Sequence, residues 1–262
     1  MAEIMKTYVI NLDRRTDRKA RIDKITAECG LEYQRVSAID AKSQDFLEIS
    51  KDLPSNGPTG RTSNNTRACT LSHFKAWTEF LNDPHSGSSA IILEDDVVLS
   101  SYFLKVIKNL SENDLYDFGL IKIELGGSMS KGAFLGPKLD LGNEFGIRKS
   151  HQILTDAAAY IINRETAKRL LTFRQSITAP IDHFLFYPIQ RAGFWGGPYG
   201  VLDPAIVIQD RSIQSDIRSQ PYLDSRRRRD FLRLVYEGRQ VPSIFMNLLL
   251  QKCRLVSVIF RP

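Results

Sequence analysis

The sequence predicts an α/β fold in which helices cover a largely parallel sheet. Two observations lead to this prediction: the chain begins with strand, helix and strand patterns in succession, and short apolar runs recur further along. A β-α-β beginning favours parallel strands, because the intervening helix returns the chain to the same side of the sheet. The length of 262 residues suits one sizeable domain, or one domain with an appendage.

The first three elements lie within the first 40 residues. Residues 7–13, TYVINLD, form the apolar run of a buried strand that leaves into a polar turn, and residues 33–40 predict a second strand. Between them, residues 14–30 carry apolar side chains at helical spacing, and Gly30 is expected to end this helix.

Later elements continue the pattern. Residues 68–83 predict a helix with one apolar face, and residues 157–173 begin as a strand and become a helix near Arg164 or Glu165. Further strands are predicted within three apolar segments: 90–100, 117–125 and 197–210. Two glycine-containing segments are expected to be loops: 50–66 and 126–146. The second is either a mobile surface loop or two loops around a short hairpin.

Composition indicates a soluble globular protein, with 42% hydrophobic and 25% charged residues. The three cysteines lie far apart, and their odd number argues against a disulfide framework, so a reducing cytosol is expected. The N-terminal residues lack the pattern of a signal peptide. No stretch reaches the roughly 20 apolar residues that span a bilayer.

Positive charge is concentrated near the C-terminus. The formal net charge is +6, and residues 226–262 hold nine basic and two acidic residues, a net +7, so the preceding 225 residues sum to −1. Residues 241–262 predict one amphipathic helix with a wide apolar face, preceded by four arginines at 226–229. The sequence therefore predicts a main domain at 1–220 and a basic, amphipathic, membrane-associating segment at 221–262.

The basic segment is expected to bind an anionic membrane surface, at roughly 1 kcal/mol for each basic residue near the lipid. The alternative is that its helix packs on the domain or on a second subunit. Nucleic acid is a weaker alternative, because aromatic residues do not interleave with the arginines as a base-stacking platform requires.

Three consecutive acids, Glu94, Asp95 and Asp96, follow the apolar run AIIL. Two like charges about 4 Å apart repel by roughly 4 kcal/mol at an effective dielectric constant near 20, so such a cluster persists where it is solvated or binds a cation. Mg²⁺ and Mn²⁺ prefer oxygen ligands of this kind. Alternation along a strand places Glu94 and Asp96 on one side, an arrangement that suits a metal-bound nucleotide diphosphate beyond the strand end.

Other interpretations of the charged residues remain. The acids could simply solvate a strand end, or belong to a phosphatase with an Asp-x-Asp pair, although Glu94 occupies the position of that nucleophile. Arg14, Arg15 and Arg18 follow the first predicted strand, and arginine clusters suit phosphate through charge and paired donors. Alone, they also fit a solvated basic face. Together, the two clusters favour a diphosphate bridged by a metal.

Six segments, in order, resemble the family 25 glycosyltransferases, the bacterial lipopolysaccharide and lipooligosaccharide enzymes related to the collagen galactosyltransferases. They are YVINLDRRTDR (8–18), CTLSHFKAW (69–77), AIILEDDVVL (90–99), DAAAYIINRETAKRLL (156–171), PIDHFLF (180–186) and PAIVIQDRSIQSDI (204–217). The resemblance implies a GT-A type, Rossmann-like α/β sandwich, a UDP-sugar donor, a divalent metal (Mn²⁺ or Mg²⁺) and inversion at the anomeric carbon. One departure is Arg67 and Ala68, where the family often has glycine before the cysteine.

The resemblance also assigns roles to residues. The expected donor-binding residues are Asn11, Arg15, Arg18, Ser72, His73 and Asp95. The expected metal ligands are Glu94 and Asp96, and the expected catalytic base is Asp182, with Asp156 as second choice. Further matched residues are His183, Gln209 and Ser215. A structural, hydrogen-bonded histidine is the alternative for His73, and a helix N-cap is the alternative for Asp182.

These expectations describe an inverting hexosyltransferase at the cytoplasmic face of the bacterial inner membrane. Residues 1–220 would be its catalytic domain, and it would move galactose or glucose from a UDP-sugar to a lipopolysaccharide or lipooligosaccharide core. The alternative is a non-catalytic, membrane-associated protein that binds sugar nucleotides or glycolipids. The intact acidic segments favour the enzyme.

Overall fold

The computed structural model describes residues 5–57, 60–110, 118–127, 129–177, 179–186, 199–213, 238 and 241–262. The strands are β1 (Lys6–Asn11), β2 (Gln34–Ser37), β3 (Asn56–Gly57), β4 (Gly60–Arg61), β5 (Ser89–Glu94), β6 (Val97–Leu99), β7 (Leu120–Lys122), β8 (Ala133–Gly142), β9 (Phe145–Ser150), β10 (Ala159–Asn163), β11 (Gly200–Asp203), β12 (Val207–Gln209) and β13 (Arg254–Val256). The helices are α1 (Thr16–Cys29), α2 (Phe46–Ile49), α3 (Asn64–Asn82), α4 (Phe103–Asn109), α5 (Arg164–Leu171), α6 (Ile181–Leu185) and α7 (Val241–Leu249).

Nine of these strands form one mixed sheet in the order β13-β8-β9-β11-β7-β10-β5-β1-β2. The predicted parallel arrangement holds for β2, β1 and β5, where Tyr8 lies opposite Gln34 on one side and Ile92 on the other. β10 pairs antiparallel with both β5 and β7, so the rest of the sheet is mixed. The carboxyl ends of β2, β1 and β5 therefore meet at one edge, and the segments that follow them lie side by side.

The sheet is covered on both faces, which explains the nearly continuous apolar sequence of β5. Ile92 lies in one buried cluster with Trp77 of α3, whereas Ile91 and Leu93 lie in a second cluster with Ile22 of α1. Strands buried on both faces lack the polar alternation of a half-exposed strand. Each buried leucine or isoleucine contributes about 1.5–3 kcal/mol, so this sandwich holds the edge of the sheet firmly.

Local signals set the ends of the two helices beside the parallel strands. α1 ends at Gly30, whose φ of 66° is the left-handed conformation that glycine adopts readily. α3 begins after Ser63, whose side chain accepts a hydrogen bond from the Thr66 amide. The helix thus starts four residues before the predicted start and includes Arg67. The Arg67 guanidinium is buried and donates to the Leu53 carbonyl at 3.1 Å, so it fixes the preceding loop.

The segment predicted as loop at 126–146 contains a long hairpin. β8 and β9 pair antiparallel, and Asn143 and Glu144 connect them with φ values of 52° and 72°. Two consecutive residues with positive φ are typical of the tight turns whose twist matches that of paired strands. The interpretation as a mobile surface loop is therefore wrong, and the hairpin is longer than the alternative prediction assumed.

The predicted helix over residues 241–262 is wrong beyond Leu249. The helix α7 ends there, and β13 pairs antiparallel with β8, with Leu255 opposite Phe134. Further on, the amide of Arg261 donates to the carbonyl of Ala205 at 3.0 Å. An exposed strand edge offers backbone partners, and β-branched residues such as Val256 favour strands, so pairing outweighs the helical pattern.

The pairing of β13 with β8 and the contact of Arg261 with Ala205 place residues 254–261 against the main sheet. The predicted boundary at residue 220 and the arginines at 226–229 lie outside the described residues, so the domain division stays a prediction. Within the described ranges, every helix is too short or too polar to cross a membrane.

Candidate active site

A cleft of about 140 Å³ opens at the carboxyl ends of β2, β1 and β5, beside the first turns of α3. Its apolar lining includes Ile10, Leu12 and Ile39, and its polar lining includes the three predicted acids and two of the three predicted arginines, but not Arg15. The position follows from the topology, because open α/β sheets bind ligands beyond the carboxyl ends of their parallel strands. Six arginine, aspartate and glutamate residues line the cleft: Arg14, Arg18, Asp40, Glu94, Asp95 and Asp96.

Asp95 ties three elements together beneath this cleft. Its Oδ2 accepts a hydrogen bond from Nδ2 of Asn11 at 2.7 Å, and its Oδ1 accepts one from Nη1 of Arg18 at 2.8 Å. Oδ1 of Asn11 in turn accepts from Nε of Arg35 at 2.9 Å. Asp95 is only 5% exposed, so its contacts hold β1, α1 and the turn after β5 in place. Direct donor binding by Asn11, Arg18 or Asp95 stays a prediction.

The strand β5 ends at Glu94, and Asp95 and Asp96 form a turn. The prediction from strand alternation therefore does not apply beyond Glu94. All three acids line the cleft, because the turn directs Asp95 toward Arg18 without carrying it to the opposite face of the sheet.

Glu94 and Asp96 are partly buried carboxyl groups with few hydrogen bonds. Burial, and then the charge of Asp95, raise the pKa of Glu94 from 4.5 to about 7. Burial, and then the charge of Glu94, raise the pKa of Asp96 from 3.8 to about 7. Oδ1 of Asp96 is buried and has no hydrogen-bond partner among the described residues, and Arg18 Nη1 lies 3.8 Å from Oδ2. Both carboxylates would be stabilised by a cation in the cleft.

A chain of side chains lies behind Glu94. The indole Nε1 of Trp77 donates to Oη of Tyr160 at 2.8 Å, and this Oη lies 2.8 Å from Nδ1 of His73. Nε2 of His73 lies 3.3 Å from Oε1 of Glu94, and the thiol of Cys69 lies 3.7 Å from the same oxygen. His73 is fully buried, and burial lowers its pKa from 6.5 to about 4, so the imidazole is neutral at physiological pH.

Ser72 of α3, another predicted donor-binding residue, hydrogen-bonds to two backbone groups. Its hydroxyl donates to the Ala68 carbonyl at 2.8 Å and accepts from the Ile39 amide at 2.9 Å. Ser72 therefore fastens α3 to the segment that follows β2, and it lines the cleft from that position.

The two predicted base residues lie together beside the acid cluster. The Asp156 amide donates to Oδ2 of Asp182 at 3.1 Å, and the His183 amide donates to Oδ1 at 2.9 Å. Neither aspartate belongs to the cleft lining, but the charge of Asp156 raises the pKa of Glu94 and the charge of Asp182 raises that of Cys69. The helix α6 begins at Ile181, so Asp182 is its second residue and not its N-cap. The role of base stays a prediction for both.

Of the remaining predicted residues, only Gln209 lines the cleft in the described structure. Arg15 pairs with Asp17 at 2.8 Å on the surface, and Gln209 of β12 lines the cleft. His183 is buried in α6. Ser215 lies outside the described residues.

Sequence reasoning missed a buried ion pair next to these groups. Nζ of Lys122 donates to Oε1 of Glu124 at 2.6 Å, and both side chains are fully buried. The Asp156 carbonyl accepts from the same Nζ at 2.5 Å, so the pair is joined to the predicted base residues. Burial raises the pKa of Glu124 to about 7, while the charge of Lys122 opposes this shift. The sequence did contain a signal for this pair. Lys122 and Glu124 are opposite charges two residues apart in the apolar segment IKIEL, and residues at that spacing share one face of a strand.

Comparisons with known proteins agree with the sequence resemblance. The family model of glycosyltransferase family 25 (LPS biosynthesis protein) matches residues 4–185. The chain is 27% identical over 114 residues to procollagen galactosyltransferase 1 of Danio rerio, covering 41% of this chain and 18% of the relative. It is 26% identical over 195 residues to procollagen galactosyltransferase 1-A of Xenopus laevis, covering 69% of this chain and 30% of the relative.

These relatives are much longer proteins. The chain spans less than a third of the length of the curated relatives it matches. Among solved structures, a glycosyltransferase involved in glycosylation of the major capsid of PBCV-1 aligns with a TM-score of 0.40 and 12% identity, covering 88% of this chain and all of the other. A TM-score below 0.5 carries no conclusion. The family model alone covers more than half of the chain, and the chain therefore belongs to glycosyltransferase family 25.

Proposed function

We propose that this protein is an inverting, metal-dependent glycosyltransferase. It would transfer a hexose, galactose or glucose, from a UDP-sugar to the core of a lipopolysaccharide or lipooligosaccharide. The observation that carries this proposal is the pair of partly buried carboxyl groups, Glu94 and Asp96, beside arginines at the carboxyl edge of the parallel strands. Family membership supports glycosyl transfer, and the galactosyltransferases among the relatives support the choice of sugar.

The residues present fit a divalent metal. Glu94 and Asp96 would hold Mn²⁺ or Mg²⁺, because both offer carboxylate oxygens. Oδ1 of Asp96 is buried without a hydrogen-bond partner in the described structure, and such a group costs about 1–3 kcal/mol until it is paired. When bound, the metal would supply positive charge to stabilise the departing diphosphate.

The protein itself would bind and orient the donor. Apolar side chains at the carboxyl ends of β1 and β2, including Ile10, Leu12 and Ile39, offer a surface for the uracil ring. Asp40 follows β2 at the position where an acid can accept hydrogen bonds from ribose hydroxyls, and it now pairs with Nε of Arg14 at 2.6 Å. The guanidinium groups of Arg14 and Arg18 would face the charge that develops on the diphosphate.

The acceptor hydroxyl must lose a proton as the new bond forms at the anomeric carbon. We assign this task to Asp182, with Asp156 as second choice, because an inverting reaction requires a base on the face opposite the leaving group. Two backbone amides, those of Asp156 and His183, hold the carboxylate of Asp182 in a fixed orientation. A side chain that is already oriented loses little entropy when the acceptor binds.

A membrane location would bring the enzyme to its lipid-linked acceptor. Eight of the ten large hydrophobic side chains that are exposed in the described structure form what we call the C-terminal apolar surface: Val241, Phe245, Met246, Leu248, Leu249, Leu250, Leu255 and Ile259. Residues 238–262 contain four basic residues and no acid. This combination suits the anionic cytoplasmic face of the bacterial inner membrane.

A panel of nucleotide sugars, scored for hydrolysis and thermal shift with Mn²⁺, Mg²⁺ or EDTA, tests the proposal. We expect one UDP-sugar to act only with metal, and Asp96→Ala to abolish this activity. Glu32→Ala is the matched control, because Glu32 is exposed before β2, at the opposite edge of the sheet. Binding without turnover would favour the non-catalytic alternative, and activity that survives EDTA would contradict metal dependence.

A further inference from the structure

The hydrogen-bond chain behind Glu94 has one arrangement of protons in which every donor has an acceptor. The indole Nε1 of Trp77 is a donor only, so Oη of Tyr160 accepts from it. Tyr160 has one proton of its own, and among the described contacts its remaining partner is Nδ1 of His73, at 2.8 Å. In this arrangement the hydroxyl donates to Nδ1, which carries a lone pair.

This arrangement fixes the tautomer of His73. A neutral imidazole with a lone pair on Nδ1 carries its proton on Nε2. Nε2 lies 3.3 Å from Oε1 of Glu94, so its N–H group points at that oxygen. The Cys69 thiol, at 3.7 Å, is a second and weaker donor to Oε1. The described side-chain hydrogen bonds of Glu94 all use Oε1, and none uses Oε2.

We infer that His73 is the positioning residue of Glu94: its Nε2–H group holds Oε1, so that Oε2 is presented to the cation in the cleft. The inference rests on the proposed function, because it takes Glu94 as a metal ligand. It assigns His73 a task different from contact with the donor. Tyr160 and Trp77 then matter for the site although neither lines the cleft, because they determine which ring nitrogen of His73 is protonated.

The same residues admit one competing site. The ligand atoms of Cys69, His73 and Glu94 lie within 4.8 Å of one another, close enough to share a thiophilic cation such as Zn²⁺. Binding there requires a lone pair on Nε2 and a proton on Nδ1. Tyr160 would then accept from both Trp77 and His73, and its own proton would have no partner among the described contacts. The geometry therefore favours the positioning role.

The tautomer can be observed directly. Selective ¹⁵N labelling of the four histidines, with long-range ¹H–¹⁵N correlation spectra, identifies the protonated ring nitrogen of each. His73→Gln assigns the signal of His73. We expect the proton on Nε2 in the wild type and a mixture of tautomers in Tyr160→Phe, which loses the donor to Nδ1. A proton on Nδ1 in the wild type, or loss of the Nε2 proton on adding Zn²⁺ alone, would overturn the inference.

Metal affinity supplies a second readout. Loss of a hydrogen-bond partner behind a metal ligand typically weakens metal binding by about 10- to 100-fold, so His73→Leu should raise the dissociation constant of Mn²⁺ by about 10-fold. His73→Gln keeps an N–H donor and should lose less. Saturating Mn²⁺ should restore the kcat of both variants, which a merely structural defect would not allow. His85→Gln is the control, since His85 is exposed and away from the cleft.

The outcomes separate this inference from the proposed function. If His73→Leu folds and binds Mn²⁺ as the wild type does, the positioning role is refuted while the metal remains. If the wild type binds no Mn²⁺, the metal assignment fails. The ¹H–¹⁵N spectra then test only the hydrogen bond between His73 and Glu94. In that case a shifted Nε2–H resonance in Glu94→Gln supports the contact, and an unchanged resonance refutes it.

Discussion

Arg18 of α1 and Asp95, in the turn after β5, form a nearly buried ion pair, with Nη1 of Arg18 2.8 Å from Oδ1 of Asp95. Their side chains are 9% and 7% exposed. The same Nη1 lies 3.8 Å from Oδ2 of Asp96. The pair therefore joins the helix to the acidic turn and brings a positive charge next to two carboxylates.

Removing Asp95 should strongly destabilise the fold, because it leaves the Arg18 charge buried without its main partner. Breaking a buried ion pair on one side costs about 3–5 kcal/mol, and we expect Asp95→Ala to lose about 3 because Asp96 remains near. Urea unfolding of the metal-free protein measures this change. Asp17→Ala, which breaks the exposed surface pair with Arg15, should change stability much less. Equal losses in the two variants would contradict the structural role of Asp95.

Arg164, at the start of α5, should be a major contributor to stability. Its guanidinium donates to the carbonyls of Leu81, Asp83 and Gly87 at 2.9–3.0 Å, and so it satisfies the C-terminal end of α3. Hydrogen bonds from a charged group contribute about 1.5–3 kcal/mol each, and their effects overlap, so Arg164→Ala should lose about 3 kcal/mol.

The fork of donors matters here more than the charge. Arg164→Lys keeps the charge but cannot reach three carbonyls at once, so it should lose more than half of the stability lost in Arg164→Ala. Arg169→Ala, on the exposed side of α5, is the matched control and should change stability little. A lysine variant as stable as the wild type would show that charge alone suffices.

Acid stability should depend on Asp83. The hydrogen bond from Lys6, and then that from the His85 amide, lower the pKa of Asp83 from 3.8 to about 2. A depressed pKa in the folded state contributes stability above the unfolded value of about 4, and this contribution disappears as pH falls toward 2. Lys6→Gln should therefore destabilise the protein at neutral pH and flatten the loss between pH 4 and 2.

Thermal unfolding from pH 7 down to pH 2 measures this dependence. Lys105→Gln, at an exposed lysine of α4, should leave the curve unchanged. If Lys6→Gln instead unfolds in parallel with the wild type over the whole range, the pair with Asp83 does not contribute to acid stability.

The position of the acidic cluster was predictable from the sequence, whereas its supporting contacts were not. An apolar run that ends in Glu94 indicates a strand end, and the preceding β-α-β pattern indicates that parallel strands meet there. Trp77 and Tyr160, in contrast, lie on α3 and β10. The sequence indicates only that each belongs to the buried face of its own element. Their meeting at His73 depends on the antiparallel insertion of β10 beside β5, which the local sequence does not specify.

The C-terminal residues show the same limit in another form. The polar stripe of residues 241–262 fits a helix, but β13 pairs with an edge formed more than a hundred residues earlier in the chain. Hydrophobic periodicity reports the local preference of a segment, and it does not indicate pairing with a strand that is distant in sequence. The exposed apolar side chains remain, divided between α7, β13 and the residues that follow.

Membrane binding should depend on the apolar side chains as well as on positive charge. Phe245→Ser with Leu249→Ser removes two side chains that are 61% and 63% exposed, so the fold should be retained. Because full burial of one such side chain is worth about 1.5–3 kcal/mol, the double variant should bind vesicles at least about 10-fold more weakly. Flotation with phosphatidylglycerol–phosphatidylethanolamine vesicles, compared with phosphatidylcholine alone, measures both contributions.

The control for membrane binding is Leu47→Ser, because Leu47 is 72% exposed on α2 and lies outside the C-terminal apolar surface. It removes an exposed leucine elsewhere on the protein, so it should float as the wild type does. Wild-type protein should float with anionic vesicles and remain behind with neutral ones, because the basic residues contribute only near anionic lipid. If the double variant floats normally but its apparent mass falls by half in solution, the C-terminal apolar surface binds a second copy of the chain and not the membrane.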